Sequence, residues 1–242
     1  MVLSALRGAV GFLTRIPVGH DQRAFDAFCA RVGVVPLVGY AVGAAASLAL
    51  VALLPAPTLA LLYVLTVLGV TGINHADGLA DLGDAAVVHG DAERRREVMR
   101  DTTVGVGAVV AVAVGLGGLA SGALGLTTLP LAAAVGIAVA SDVGAKLGIV
   151  VRPSHDGLGS RLLGADAGQV LLALVLAAPA TVVTWPSPAG IAAALAGPTV
   201  ALALRGWAHA TLDGVGGDVF GATNELARVV GLHAGVVVWT LS

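Results

Sequence analysis

Three aspartates, Asp77, Asp81 and Asp84, fall within the stretch Gly72-Ile-Asn-His-Ala-Asp-Gly-Leu-Ala-Asp-Leu-Gly-Asp84. Their spacing is i, i+4 and i+7. On a helix that spacing places all three on one stripe about two turns long, and Asn74 joins the same face. Like charges so arranged repel, and a cation bound between them reverses the sign. Hard oxygen donors without cysteine suit Mg²⁺, Mn²⁺ or Ca²⁺ rather than zinc. The same spacing also describes a plain solvated acidic face. The arginines beyond the stripe bear on the choice: Arg94, Arg95, Arg96 and Arg100 come within twenty residues of it. Carboxylates that hold a divalent cation, with arginines to neutralise oxyanions, are the equipment of phosphate transfer. Arg100-Asp101 ahead of Gly105-x-Gly107 predicts backbone N–H groups near a phosphate at a helix start. In a chain with 34 glycines the same pair also reads as packing. Gly216-Gly217-Asp218 and Glu225 form a second acidic group at i, i+7, suited to a further ligand set or a base. His75 reads either as a proton acceptor or as a helix-end residue bonded to Asn74 or a carbonyl. No Ser-His-Asp order, P-loop or His-Glu-x-x-His pattern occurs.

The elements that must hold these residues are apolar. Of 242 residues 57% are hydrophobic and only 12% charged, half the roughly 25% of a soluble domain. That balance predicts a single all-α domain over residues 1–242, a polytopic membrane bundle of about six to seven transmembrane helices in three hairpins. Without a basic domain or an aromatic platform, nucleic acid is not an expected partner. The single cysteine, Cys29, excludes an internal disulfide. Leu3, Leu6, Val10 and Leu13 predict a short helix lying on the membrane surface rather than a signal peptide. Spans are expected at about 32–54, 59–73, 104–125, 129–151, 168–185 and 188–204. Residues 229–241 are apolar but short, and a helix starting near Phe220 would supply the missing length. Gly39-x-x-x-Gly43 and Gly118-x-x-x-Gly122 predict close helix contacts and leave homo-oligomer formation open. Asp142 and Lys146 interrupt the fourth span at i, i+4, either as functional charges or as a packing salt bridge.

The connections at 55–58, 126–128 and 186–188 carry no charge, whereas the N-terminus and the segments 74–103, 152–167 and 205–228 carry nearly all of it. One hairpin separates each charged segment from the next, so all fall on one side. Twelve of the 13 Lys and Arg lie outside the expected spans on that side, which the positive-inside rule makes cytoplasmic. The expected location is therefore the cell membrane, with the active face towards the cytoplasm.

Several motifs, in order along nearly the whole chain, resemble the cobalamin synthase (adenosylcobinamide-GDP ribazoletransferase) family. They are Phe12-Leu-Thr-Arg-Ile-Pro17, Pro36-Leu-Val-Gly39, the Gly72–Asp84 stretch and Met99-Arg100-Asp101-Thr102 with Gly105. Gly157-Leu158-Gly159 and Gly217-Asp218-Val-Phe-Gly221-Ala-x-x-Glu225-Leu226 complete the series. Two positions depart from the family pattern, Gly217 where a threonine is usual and Thr103 where a basic residue is often found. The resemblance implies a reaction in which a hydroxyl of α-ribazole, or of its 5′-phosphate, attacks the cobinamide-bearing phosphorus of adenosylcobinamide-GDP. GMP leaves, adenosylcobalamin or its 5′-phosphate forms, and Mg²⁺ is the expected cofactor. On that reading Asp77, Asp81 and Asp84 hold the metal. Arg100 balances diphosphate charge, with Arg15, Asp101 and Glu225 as further binding residues. His75 or Asp218 receives the acceptor proton, with Asp81 at the reacting centre. Membrane lipid and the two small-molecule substrates are the expected partners. Two other classes fit part of the pattern: a membrane phosphotransferase of the CDP-alcohol type, and a cation or cobinamide transporter built on Asp142 and Lys146. A structural scaffold would leave the aspartate stripe unexplained.

Overall fold

The computed structural model describes residues 2–19, 21–150 and 166–242. Among them the regular structure is helical throughout. The polar segment expected at 152–167, including Gly157-Leu158-Gly159, lies almost wholly outside the described residues. The N-terminal helices are α1 (Val2–Leu13) and α2 (Gln22–Cys29). α1 is too short to cross a bilayer, and Phe12 packs its ring against Phe25 and Phe28 of α2 at centroid distances of 5.7 and 5.8 Å. α3 (Pro36–Ser47) is extended at both ends by 3-10 turns, giving a continuous apolar helix over Val32–Val51. Then come α4 (Ala56–Thr71) and α5 (Asn74–Val87), bent from each other by 97°. α6 (Ala92–Arg100) leads to α7 (Val106–Leu126) and α8 (Leu131–Val150). α9 (Ala167–Ala177), α10 (Ala189–Leu212) and α11 (Gly217–Leu241) complete the chain.

Four of the described helices are long and apolar enough to cross a membrane, Val32–Val51, Val106–Leu126, Leu131–Val150 and Ala189–Leu212, and the bent pair α4–α5 makes a fifth when counted as one broken span. This differs from the six or seven expected, for local reasons. The second expected span is α4, whose 16 residues end at the 97° bend, where α5 leaves in a new direction. The fifth is α9 with a following 3-10 turn, a short apolar piece over Ala167–Thr181. α10 extends eight residues beyond its expected end and takes Arg205 into the helix. α11 starts at Gly217, so the apolar C-terminal stretch is one end of a 25-residue helix. Asp218, Glu225 and Arg228 lie in its other half. Arg228, expected in a charged loop, is inside this helix and fully buried.

α8 is the axis of the bundle. Its span is 89% buried, against 28% for α7, and it packs on α3, α10 and α11. The glycine spacings act within the chain. A Cβ at Gly39 or Gly43 would come within 2.6–2.7 Å of the Val143 or Val139 Cα on α8. At Gly118 it would meet Val229 of α11 at 2.7 Å, and at Gly122 Leu232 at 3.0 Å. The faces that left homo-oligomer formation open are used for intrachain helix contacts.

Candidate active site

The site begins at the bend. Gly72 ends α4 at φ +73°, a backbone region that side chains disfavour, and its N–H still donates to the Leu68 carbonyl at 2.8 Å. Two residues later α5 starts in the new direction. The Arg15 side chain lies over the bend, its Cγ 2.9 Å from where a Gly72 Cβ would stand, and its backbone N–H donates to the Val70 carbonyl. Arg15, expected at the substrate, is thus placed against the hinge between α4 and α5.

α5 lies against the first turns of α11. A Cβ on Gly78 would fall 2.6 Å from the Asp218 carbonyl oxygen and 2.9 Å from its Cα. On the other side of the contact, one on Gly221 would fall 3.2 Å from the His75 Cα. Two glycines, one from each helix, therefore let the backbones touch. That contact brings Asp77 and Asp81 of α5 up to Asp218 of α11. The Asp81 carboxyl is pushed up to about 6, first by burial and then by the charges of Asp218, Asp77 and Asp84. Burial and the Asp77 charge also raise Asp218. The charges that act on Asp81 and Asp218 are thus those of other carboxylates. Asp77 is exposed, and Asp81 and Asp218 are partly open.

Asp84, expected as the third metal ligand, is placed differently. It is buried, and both carboxylate oxygens are taken: Oδ2 accepts from the Gly105 N–H at 2.8 Å, Oδ1 from the Ala108 N–H at 2.8 Å. These are unsatisfied donors at the start of α7, and a carboxylate there complements both the N–H groups and the helix dipole. The same contact corrects the phosphate reading of Gly105-x-Gly107, since the Gly105 amide already has its acceptor. The seven-residue step from Asp77 carries Asp84 about 10 Å along the axis, onto α7 and away from α11.

Asp101 is fully exposed and accepts the Thr103 N–H at 3.0 Å, and that bond, foremost, holds its carboxyl below the usual range. It caps its own turn. Arg100 lines a cavity of about 450 Å³ together with Arg96, Glu93, Met99, Asp213 and Asp218. Arg96 is steadied there by its bond to the Leu212 carbonyl at 3.1 Å. Asp218 is thus the residue shared by the carboxylate group and an arginine-lined cavity. A larger cavity of about 640 Å³, between α1 and α2, touches α5 only through Asn74.

Glu225, expected to bind substrate, is in the bundle interior. The i, i+7 step from Asp218 puts it about 10 Å further along α11. Its Oε2 accepts from Arg228 Nη1 at 2.7 Å and its Oε1 from Asn224 Nδ2 at 3.1 Å. Arg228 Nε also donates to Asp142 Oδ1 at 3.0 Å, and Lys146 Nζ stands 3.6 Å from the same oxygen. Arg228 Nη2 is 2.9 Å from that oxygen but outside hydrogen-bond geometry. Lys146 donates a short hydrogen bond to Asn224 Oδ1. Asn224 Nδ2 stands 3.1 Å from His75 Nδ1, and Glu225 Oε1 is 3.6 Å from that nitrogen. Asp142 and Lys146 are thus two members of one charged network across α8, α11 and α5, with neither side chain exposed. Asp142 Oδ2 and the Tyr63 hydroxyl are buried in it without a hydrogen-bond partner among the described residues. His75 sits where this network meets the carboxylate group, and burial, foremost, holds its ring below the ordinary histidine range. Arg228, Asn224 and Tyr63 have no sequence signal beyond a polar residue in an apolar helix.

Among the described residues no three His, Cys, Asp or Glu side chains are close enough together to hold a metal ion by themselves. Magnesium does not require such a cage, because it keeps several waters and binds through one or two carboxylates plus substrate phosphates. An all-oxygen group with unrelieved mutual repulsion, beside an arginine-lined cavity, fits that mode.

The chain matches the model of the cobalamin-5-phosphate synthase family over residues 5–236. It is 50% identical to the adenosylcobinamide-GDP ribazoletransferase of Halorubrum lacusprofundi, with 99% of each chain covered. Identity to the protein of the same name from Haloquadratum walsbyi is 42%, with 100% of each covered. That from Pyrobaculum calidifontis is 36% identical, with 98% of this chain and 99% of the relative covered. No solved structure matches.

Proposed function

The chain belongs to the cobalamin-5-phosphate synthase family, and on that premise we propose how its site works. Its activity is that of a ribazoletransferase in the final steps of cobalamin synthesis. The adenosylcobinamide-phosphate group passes from adenosylcobinamide-GDP to α-ribazole or its 5′-phosphate, and GMP leaves. The observation that carries the assignment to residues is the α5–α11 crossing, which gathers Asp77, Asp81 and Asp218 beside Arg96 and Arg100.

In this reading Asp77 and Asp81 hold Mg²⁺. When bound there, the ion would supply positive charge to offset that of the phosphate oxygens. Arg100 and Arg96 bind the diphosphate from the cavity side and oppose its charge. Asp218 stands between the two and takes the proton from the attacking ribazole hydroxyl. Its raised proton affinity suits that role, because a base works best with a pKa nearer the working pH. Asp84 acts indirectly, by holding α5 to α7. The site belongs at the cytoplasmic face of the cell membrane, because α6 sets Arg94, Arg95, Arg96 and Arg100 against the end of α10 and just ahead of α7.

A direct test uses purified protein in detergent with adenosylcobinamide-GDP and α-ribazole. GMP should appear in equal amount with the cobalamin product, and chelation should stop both until Mg²⁺ is restored. No GMP with either acceptor would overturn the activity. Full turnover after chelation would overturn the metal assignment alone.

A further inference from the structure

The network of Asp142, Lys146, Asn224, Glu225 and Arg228 has no part in the chemistry above, yet it ends on His75. An amide side chain has one accepting and one donating end, and which faces where depends on its neighbours. For Asn224 both neighbours are unambiguous. Lys146, an ammonium with donors only, lies against Oδ1. Glu225 Oε1, an acceptor, lies 3.1 Å from Nδ2. The NH₂ end has two hydrogens, one for Glu225 and one for the remaining neighbour, His75 Nδ1 at 3.1 Å. A nitrogen that accepts a hydrogen bond carries no hydrogen, so in the neutral ring the hydrogen is on Nε2. The charges agree with a neutral ring. Asp142 and Glu225 offset Lys146 and Arg228, all four being buried, and a proton on His75 would add an unbalanced charge.

We propose that Lys146 and Asn224 are positioning residues for His75, fixing its ring in the tautomer whose Nε2–H can only donate. Asp142 and Arg228 hold Lys146 and Glu225 at the correct separation for this. Resting on the function proposed above, a ring whose Nδ1 is taken by Asn224 can donate from Nε2 but is not the base, and Asp218 alone accepts the hydroxyl proton. The amide is the selecting group because it is bonded on three sides, and each bond removes one alternative orientation.

The test reads the ring directly and needs no turnover. Protein labelled with ¹⁵N in histidine, in nanodiscs at one pH, gives long-range proton–nitrogen correlations that distinguish the two neutral tautomers. The His75 signals are identified by their loss in His75→Gln. The expected pattern has Nε2 protonated and Nδ1 bare. Asn224→Asp replaces the donor facing Nδ1 with an acceptor of the same shape, and Nδ1 should become protonated. Lys146→Met should give a mixture of both tautomers, and Lys146→Arg should restore the original. The same Asn224→Asp change should lower kcat at least about tenfold with little change in KM, as loss of a hydrogen-bond donor used only in the transition state does. A protonated Nδ1 in the unaltered protein overturns the proposal whether or not any variant folds. So does an unchanged pattern in a folded Asn224→Asp protein. Failure of the GMP assay would leave the tautomer readout intact, so the two ideas fail separately.

Discussion

Two aspartates three residues apart on one helix have opposite surroundings, and substitution should separate them. Asp81 is crowded by other carboxylates. Asp84 accepts two N–H groups at the start of α7. Asp81→Asn removes a repelling charge, so thermal stability should hold or rise while turnover falls at least about a hundredfold at saturating Mg²⁺. Asp84→Ala should cost about 1–2 kcal/mol of stability as a lost helix cap, read as a lower unfolding midpoint. Retained full activity in Asp81→Asn would remove Asp81 from the site. The carboxyl of Asp81 is raised above its unfolded value, so its ionisation above about pH 6 works against the fold. Metal binding requires the ionised form. The Mg²⁺ concentration for half-maximal activity should therefore climb as pH falls through about 6, and a flat profile across that value would contradict the assignment. The stripe is legible in the sequence because i, i+4, i+7 is a helical period. The different fate of Asp84 is not, because it depends on where α7 begins.

At the scale of elements, the crossing of α5 with α11 is the assembly step, and Gly78 is its tightest point. Gly78→Val adds atoms where Cβ alone would be 2.6 Å from the Asp218 carbonyl oxygen. The helices must separate, and turnover should fall at least about tenfold. Gly69→Val on α4, where a Cβ meets nothing within 4 Å, is the matched control and should be near neutral. Equal loss in both would show that the crossing is not special. The helices themselves are readable from apolar runs and from turns such as Pro55-Ala56-Pro57. Where α11 departs from expectation, the reason is a paired charge. Hydropathy stops at the first charge, but a helix continues if another helix pairs that charge. Arg228 is such a residue, with Asp142 and Glu225 as partners. The bend at Gly72 is hidden in the sequence because its neighbours Thr71 and Ile73 are compatible with an unbroken helix, and only the backbone shows the positive φ.

Across the whole molecule, charge is arranged in two tiers. The outer tier, around Asp77, Asp81, Asp218, Arg96 and Arg100, is open to solvent and carries the proposed reaction. The inner tier is sealed among α8, α11 and α5 and balanced within itself. Breaking that balance should be costly: Arg228→Met leaves two buried carboxylates facing only Lys146 and should destabilise the protein by about 3–5 kcal/mol. Thermal unfolding in detergent would measure it, and a shift under about 1 °C would show the pairing to be weak. The sequence shows the outer tier as a row of polar segments and the inner one only as Asp142 and Lys146. Their partners on α11 are far away along the chain, a separation that periodicity cannot bridge.

The bend between α4 and α5 has one more consequence. With α5 turned nearly at right angles to the preceding helix and tied to the head of α7, any change in bilayer thickness that tilts α7 also drags the carboxylate row. Turnover in reconstituted bilayers should therefore vary with acyl-chain length, and a rate independent of it would show that the elbow carries no such coupling.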